Sequence, residues 1–142
     1  MKVEKLKIED LTGLMARCSG LMPGLAENPD YPKFLSAFEA YSFFVNERVV
    51  CCGGFVEVWP GRLQGWSIIA DDIGPFGMLA LTKAWRRILA TMKSVRIELT
   101  VQAEFEAGKR WAKMLGFIQE TPNPMMGYLP NGGAAVLYAM VK

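Results

Sequence analysis

The sequence of 142 residues contains no histidine, and that single absence removes whole classes of chemistry. No Ser-His-Asp triad, Cys-His pair or imidazole-ligated metal site can be built from it. Cysteine is scarce as well, limited to Cys18 and the adjacent pair Cys51 and Cys52. Neighbours in a strand point to opposite faces, so this pair cannot converge on one metal, and no metal site is expected. An odd count without CxxC spacing argues against a disulfide framework and for a reducing compartment. With no histidine to generate a thiolate, Cys51 and Cys52 read as core residues rather than nucleophiles.

An excess of one charge is also missing. With 16 Lys+Arg against 14 Asp+Glu the net charge is +2, which gives no field to draw in a nucleic acid or an anionic membrane. Long apolar runs are absent too. Residues 1–7 hold nothing resembling a signal peptide, and the uncharged stretch 121–141 is broken by Pro122, Pro124, Gly127, Pro130, Gly132 and Gly133 into turns, not a membrane helix. Cytoplasm is the expected location. What is present is 51% hydrophobic and 11% aromatic content with 21% charge, enough to fill one packed core over residues 1–142 and too little chain for two.

Periodicity gives the order of elements. Residues 3–8 read as a short strand, followed by a helix that Asp10 can cap, with Leu11, Leu14, Met15 and Cys18 on its apolar side. Residues 19–32, with Pro23, Gly24, Pro29 and Pro32, read as loop before one possible helical turn over 32–38. Aromatic and β-branched residues at 41–45 and 48–59, separated by Asn46-Glu47, predict a hairpin, and residues 65–70 a third antiparallel strand. The loop 71–77 leads into a helix carrying Met78, Leu81, Trp85, Ile88, Leu89 and Met92 on one face. Val95, Ile97, Leu99 and Val101 alternate with polar residues as a strand covered on one face only. A helix over 104–115 ends at Gly116, and strands over 117–120 and 134–141 flank a long turn at 122–133. The expected order is β-α-(α)-β-β-β-α-β-α-β-β.

That order resembles the GNAT superfamily of N-acetyltransferases over nearly the whole chain. Three local matches carry the resemblance: Ile8-Glu9-Asp10-Leu11, then Asn46-Glu47-Arg48-Val49-Val50 running into Gly53-Gly54-Phe55, and Trp111-Ala112-Lys113-Met114-Leu115-Gly116-Phe117. The last, a helix closing in a leucine-glycine-phenylalanine step, is the most specific. The resemblance implies an α/β (α+β) fold with a mixed, mostly antiparallel sheet of six to seven strands, helices on both faces and a splayed central parallel pair. It also implies acetyl-coenzyme A as cofactor. The pantetheine arm would pair with the fourth strand at Ser67, Ile68, Ile69 and Ala70, and the pyrophosphate would sit on the helix start at Ile73, Gly74, Phe76, Gly77 and Met78, where unpaired N–H groups and the helix dipole attract anions.

Two departures from the family pattern stand out. The family's phosphate loop reads Arg or Gln, two residues, Gly, one residue, then Gly or Ala. Here it is Asp71-Asp72-Ile73-Gly74-Pro75-Phe76-Gly77, with two carboxylates and one amide lost to Pro75. Asp72 could instead cap the helix. In the last helix the family's asparagine and acidic tyrosine are replaced by Phe105 and Ala112, with Trp111 beside the latter. The remaining candidates for a base are Glu57 and Glu98, and for an acid Tyr138 or Tyr128. Gly53-Gly54 in a strand points to a bulge or a close backbone approach, and Gly108 to tight packing against a strand or a cofactor. Lys109, Arg110 and Lys113 form a basic face, either solvated or reaching the cofactor's phosphates.

Two readings follow. One is an acyltransferase acting on an amine of a small molecule or protein. The other is a catalytically inactive scaffold, since the chain is also similar to compact GNAT-like proteins of tailed phages and prophages, some of them internal virion proteins, with a virion or host protein as partner. The apolar group Met125, Met126, Tyr128 and Leu129 in the long turn suggests an interface, and with it a homodimer, or a substrate lid.

Overall fold

Eleven elements follow the expected order in the computed structural model, which describes residues 1–21, 24–93 and 95–142. Pro23 of the expected 19–32 loop lies outside the described residues. The strands are β1 (Lys2–Lys5), β2 (Ala40–Val45), β3 (Arg48–Trp59), β4 (Arg62–Ile69), β5 (Arg96–Gln102), β6 (Ile118–Gln119) and β7 (Ala135–Val141); the helices are α1 (Ile8–Met15), α2 (Tyr31–Ser36), α3 (Gly74–Thr91) and α4 (Glu106–Met114). They form a seven-stranded mixed sheet in the order β1-β2-β3-β4-β5-β7-β6, in which only the β4–β5 pair is parallel. No helix is long and apolar enough to cross a membrane among the described residues.

Strand alternation divides the core in two. Phe43, Cys51, Phe55, Ile97, Val136 and Tyr138 point to the face where Leu81, Trp85 and Leu89 of α3 and Ala112 of α4 pack. Cys52, Trp66 and Ile68 point to the other, against Leu11 and Leu14 of α1 and Leu35 of α2. Cys51 and Cys52 thus lie in different clusters, both buried. Burial raises both thiols, Cys51 well above its ordinary range and Cys52 to about 12, so neither is a thiolate near neutral pH.

Several local readings are corrected. Asp10 does not cap α1: the helix starts at Ile8 after Lys7, and the Asp10 carboxylate accepts a 2.8 Å hydrogen bond from the buried Ser42 hydroxyl. Gly53 and Gly54 answer to close approach. A Cβ on Gly53 would stand 2.6 Å from Trp85 Cζ2, and one on Gly54 2.3 Å from the Glu39 carbonyl; the register shifts lie instead at Phe43/Phe44 and at Glu57/Trp59. Gly108 makes room for the Phe105 ring and Val101, not for a cofactor.

Candidate active site

The parallel pair β4–β5 is short. Its register runs Arg62↔Arg96, Leu63↔Ile97, Gln64↔Glu98 and then stops, although β4 continues to Ile69 and β5 to Gln102. Beyond Gln64 β4 is paired on its β3 side alone. At the vertex Gly65 carries no side chain, because a Cβ there would meet Leu99 Cδ2 at 2.6 Å.

Ladder alternation fixes which main-chain groups face the gap. Ala70 donates its N–H to the Val50 carbonyl of β3, so Ile68 and Trp66, two and four residues back, also turn their peptide groups to β3. Gly65, Ser67 and Ile69 turn theirs to the β5 side. Ile68 and Ala70 are therefore not positioned to pair with a ligand in the gap, which corrects two of the four expected positions. Ala70 is further spent, since its carbonyl accepts the Ile73 N–H, and the Ile69 carbonyl accepts the Cys18 thiol at 3.2 Å.

The gap leads to the start of α3. Gly74 has φ of +73°, a conformation that a side-chain-bearing residue adopts only under strain, and a Cβ built there would meet nothing within 4 Å. Ile73 precedes the helix and offers no side-chain cap, so the amides of Gly74 and Phe76 are left to solvent or a ligand. Gly77 and Met78, in the fourth and fifth helical positions, instead donate their N–H groups to the Ile73 and Gly74 carbonyls within the helix, which corrects two of the expected positions. Phe76 is 86% exposed, and Gly77 is glycine because a Cβ would clash with Ile73. The Ile73 N–H is already bonded to Ala70, so Ile73 contributes no free donor.

The two acids of this loop are occupied elsewhere. Asp71 accepts the Ser19 N–H at 3.0 Å, tying the loop after α1 to the end of β4. Asp72 pairs with Arg48 at 2.7 Å, and that guanidinium holds its carboxyl below the ordinary range. Asp72 is thus not a helix cap. Both partners lie far off in sequence, so no spacing in the chain announces them.

On the α1–α2 side of the sheet a cavity of about 640 Å³ opens between three segments: Ser19, Gly20, Leu21, Gly24 and Glu27 before α2, Gln102 at the end of β5, and Pro130 with Asn131 in the β6–β7 turn. It spans from the Asp71-anchored end of β4 to the end of β5. Glu27 is the one charged side chain among these lining residues. Sequence pattern gave no signal for this set.

No family model matches the chain, and no curated protein does. Solved structures match over its whole length. A ribosomal-protein-alanine N-acetyltransferase from Brucella melitensis superposes with a TM-score of 0.74 at 12% identity, covering 100% of both chains. A variant of the spermidine N-acetyltransferase from Vibrio cholerae gives 0.74 at 14%, covering 99% of this chain and 95% of that one. A GNAT-family acetyltransferase from Streptococcus pneumoniae gives 0.72 at 13%, covering 99% and 98%. The fold is the GNAT fold.

Within the GNAT fold the remaining candidates are placed as follows. Glu57 is exposed and stands opposite Leu63, one strand away from β5 and before the last β4–β5 pair, so it does not face the gap. Glu98 forms that last pair and is 6% exposed; Arg62 clasps it through two 2.9 Å bonds and Arg96 adds one of 2.8 Å. These guanidiniums, Arg62 foremost, lower its pKa against the opposing effect of burial. A carboxylate so stabilised is a poor proton acceptor. Tyr138 lies on β7 across from Leu99, the first β5 residue past the vertex, buried in the α3/α4-side core. No described residue hydrogen-bonds its hydroxyl. Tyr128 is exposed in the β6–β7 turn. Trp111 donates its indole N–H to Thr82 Oγ1 at 2.9 Å, latching α4 to α3, and Ala112 is buried beneath it. Lys109 is engaged by Glu106 at 2.7 Å. Met78, at the end of the first turn of α3, accepts the Thr82 hydroxyl on its carbonyl at 2.7 Å.

Proposed function

We propose that the chain is an N-acetyltransferase of GNAT type that moves an acetyl group from acetyl-coenzyme A to a primary amine. The observation that carries the reading is the unpaired β5-side edge of β4 from Gly65 to Ile69, running into uncapped amides at α3 with both flanking acids bonded elsewhere. The pantetheine amides would pair with Ser67 and with the Ile69 N–H. The diphosphate would rest on the Gly74 and Phe76 amides, with Gly77, bare of a side chain, and Met78 behind them. The cofactor supplies the activated acetyl group, and the protein's part is to align it with the amine and to stabilise developing charge.

The acceptor enters through the cavity before α2. The carboxamides of Gln102 and Asn131 and the carboxylate of Glu27 suit a cationic amine of a small molecule or of a peptide end, and none of the described lining residues is basic. Tyr138 is the acid that returns a proton to the leaving thiolate, standing in for the tyrosine that Ala112 replaces. Water takes the amine's proton, since Glu98 is committed to its arginines and Glu57 faces away. Tyr138→Phe is expected to lower kcat about 10–100-fold while leaving coenzyme A affinity within about twofold, measured by steady-state acetylation and calorimetry. An unchanged kcat removes Tyr138 from the reaction. If coenzyme A does not bind, the scaffold reading stands in its place: a GNAT-fold protein of phage or prophage type that docks on a virion or host protein.

A further inference from the structure

The sheet face that carries Glu98 has no helix over its β5–β7–β6 half. Helices α1 and α2 pack on this face over β3 and β4, while α3 and α4 occupy the opposite face. Register aligns two rows of side chains across the open part: Trp59, Arg62, Arg96 and Val141 in one, and Gln64, Glu98, Ala139 and Ile118 in the next. Ala139 is buried, but the three large apolar members are left in water, with Trp59 58%, Val141 71% and Ile118 72% exposed. Lys142, beside Val141, turns its ammonium onto the Leu89 carbonyl of α3 at 2.7 Å and adds no charge here.

The charges on this face form a single chain of contacts. Arg62 bonds Glu98, Glu98 bonds Arg96, and Arg96 bonds Glu120, while the Arg62 guanidinium lies 4.5 Å from the Trp59 ring centre. Two positive and two negative groups alternate, so the patch is neutral and none of the four is left unpaired when water is removed. That excludes a strongly acidic or basic partner, which would need free countercharge. An alternating string of four has a further property: reversed end for end, it sets a positive group against every negative one. A two-fold axis performs that reversal. Trp and Arg are residue types enriched in interfaces, and the two glutamates, a depleted type, enter this patch only as partners of its arginines.

We infer that this open sheet face is the contact of a two-fold homodimer, in which the Arg62-Glu98-Arg96-Glu120 string of one copy lies antiparallel to that of the other, flanked by Trp59, Ile118 and Val141. The inference is independent of acetyl transfer. Light scattering or sedimentation of the full chain at about 1–100 μM is expected to give twice 15.8 kDa, with dissociation favoured by molar salt, which screens cross-interface pairs. Ile118→Lys and Trp59→Glu, both at exposed positions, are each expected to raise the dissociation constant at least about tenfold, with circular dichroism and the melting transition of the isolated subunit unchanged. A mass of 15.8 kDa throughout that range overturns the inference, and so does a dimer that both variants leave intact.

Discussion

Asp71 and Asp72 illustrate how residue identity and residue role part company. As a pair beside a phosphate site they read as repulsive, yet one is spent on the Ser19 amide and the other on Arg48, partners 52 and 24 positions away. Only the folded chain brings those groups together, which is why no local pattern revealed it. Cys51 and Cys52 behave oppositely: strand alternation alone sent them to different clusters. The glycines were half legible, since Gly53 signalled a close approach without naming Trp85 as the cause. Gly53→Ala must push against both that ring and the Trp66 carbonyl at 2.8 Å, and is expected to cost about 1–3 kcal/mol in a urea titration. Glu98, the most buried of the carboxylates held below their ordinary range, contributes to the acid limb of stability. Its folded pKa lies below the ordinary 4.5, so the folded state binds fewer protons there than the unfolded chain. The stabilisation is therefore complete above that ordinary value and is lost as pH falls through the lowered one. Glu98→Gln should flatten the decline of unfolding free energy below about pH 4.5, and an unaltered acid limb contradicts the assigned clasp.

Among the elements, β5 was the most readable, because one covered face imposes strict alternation on Ile97, Leu99 and Val101. On its other face Glu98 is closed over by arginine side chains rather than a helix, which periodicity cannot distinguish from exposure. Helix starts were the least readable. α1 begins two residues before Asp10 and α3 begins without a cap, so the usual N-terminal signal pointed to the wrong atoms in both. The element on which the proposed cofactor binding depends is β4, whose alternate peptide groups serve different neighbours. Ser67→Pro removes an N–H that faces the gap and not one bonded to β3. It is expected to weaken coenzyme A binding at least about tenfold while far-ultraviolet dichroism stays that of the parent. A folded Ser67→Pro variant that binds coenzyme A as the parent does would contradict the pairing of the Ser67 amide with the cofactor.

At the scale of the whole molecule, the element order alone led to the sheet, because hairpins, crossovers and the leucine-glycine-phenylalanine step leave few arrangements for 142 residues. The β4–β5 gap was expected only through the family resemblance, as a splayed parallel pair, and the chamber before α2 was not expected at all. The first depends on where pairing stops, after Gln64 and Glu98, and the second on three loops meeting. In the proposed enzyme, bare peptide nitrogens at the head of α3, continuing the open edge of β4, hold a thioester cofactor's diphosphate without a basic side chain in the loop. Calorimetric titration of the full chain with coenzyme A tests it most directly: a single saturable site with a dissociation constant below about 100 μM, weakened by Ser67→Pro, is the expected result. No heat of binding and no rise in melting temperature at millimolar coenzyme A would contradict it.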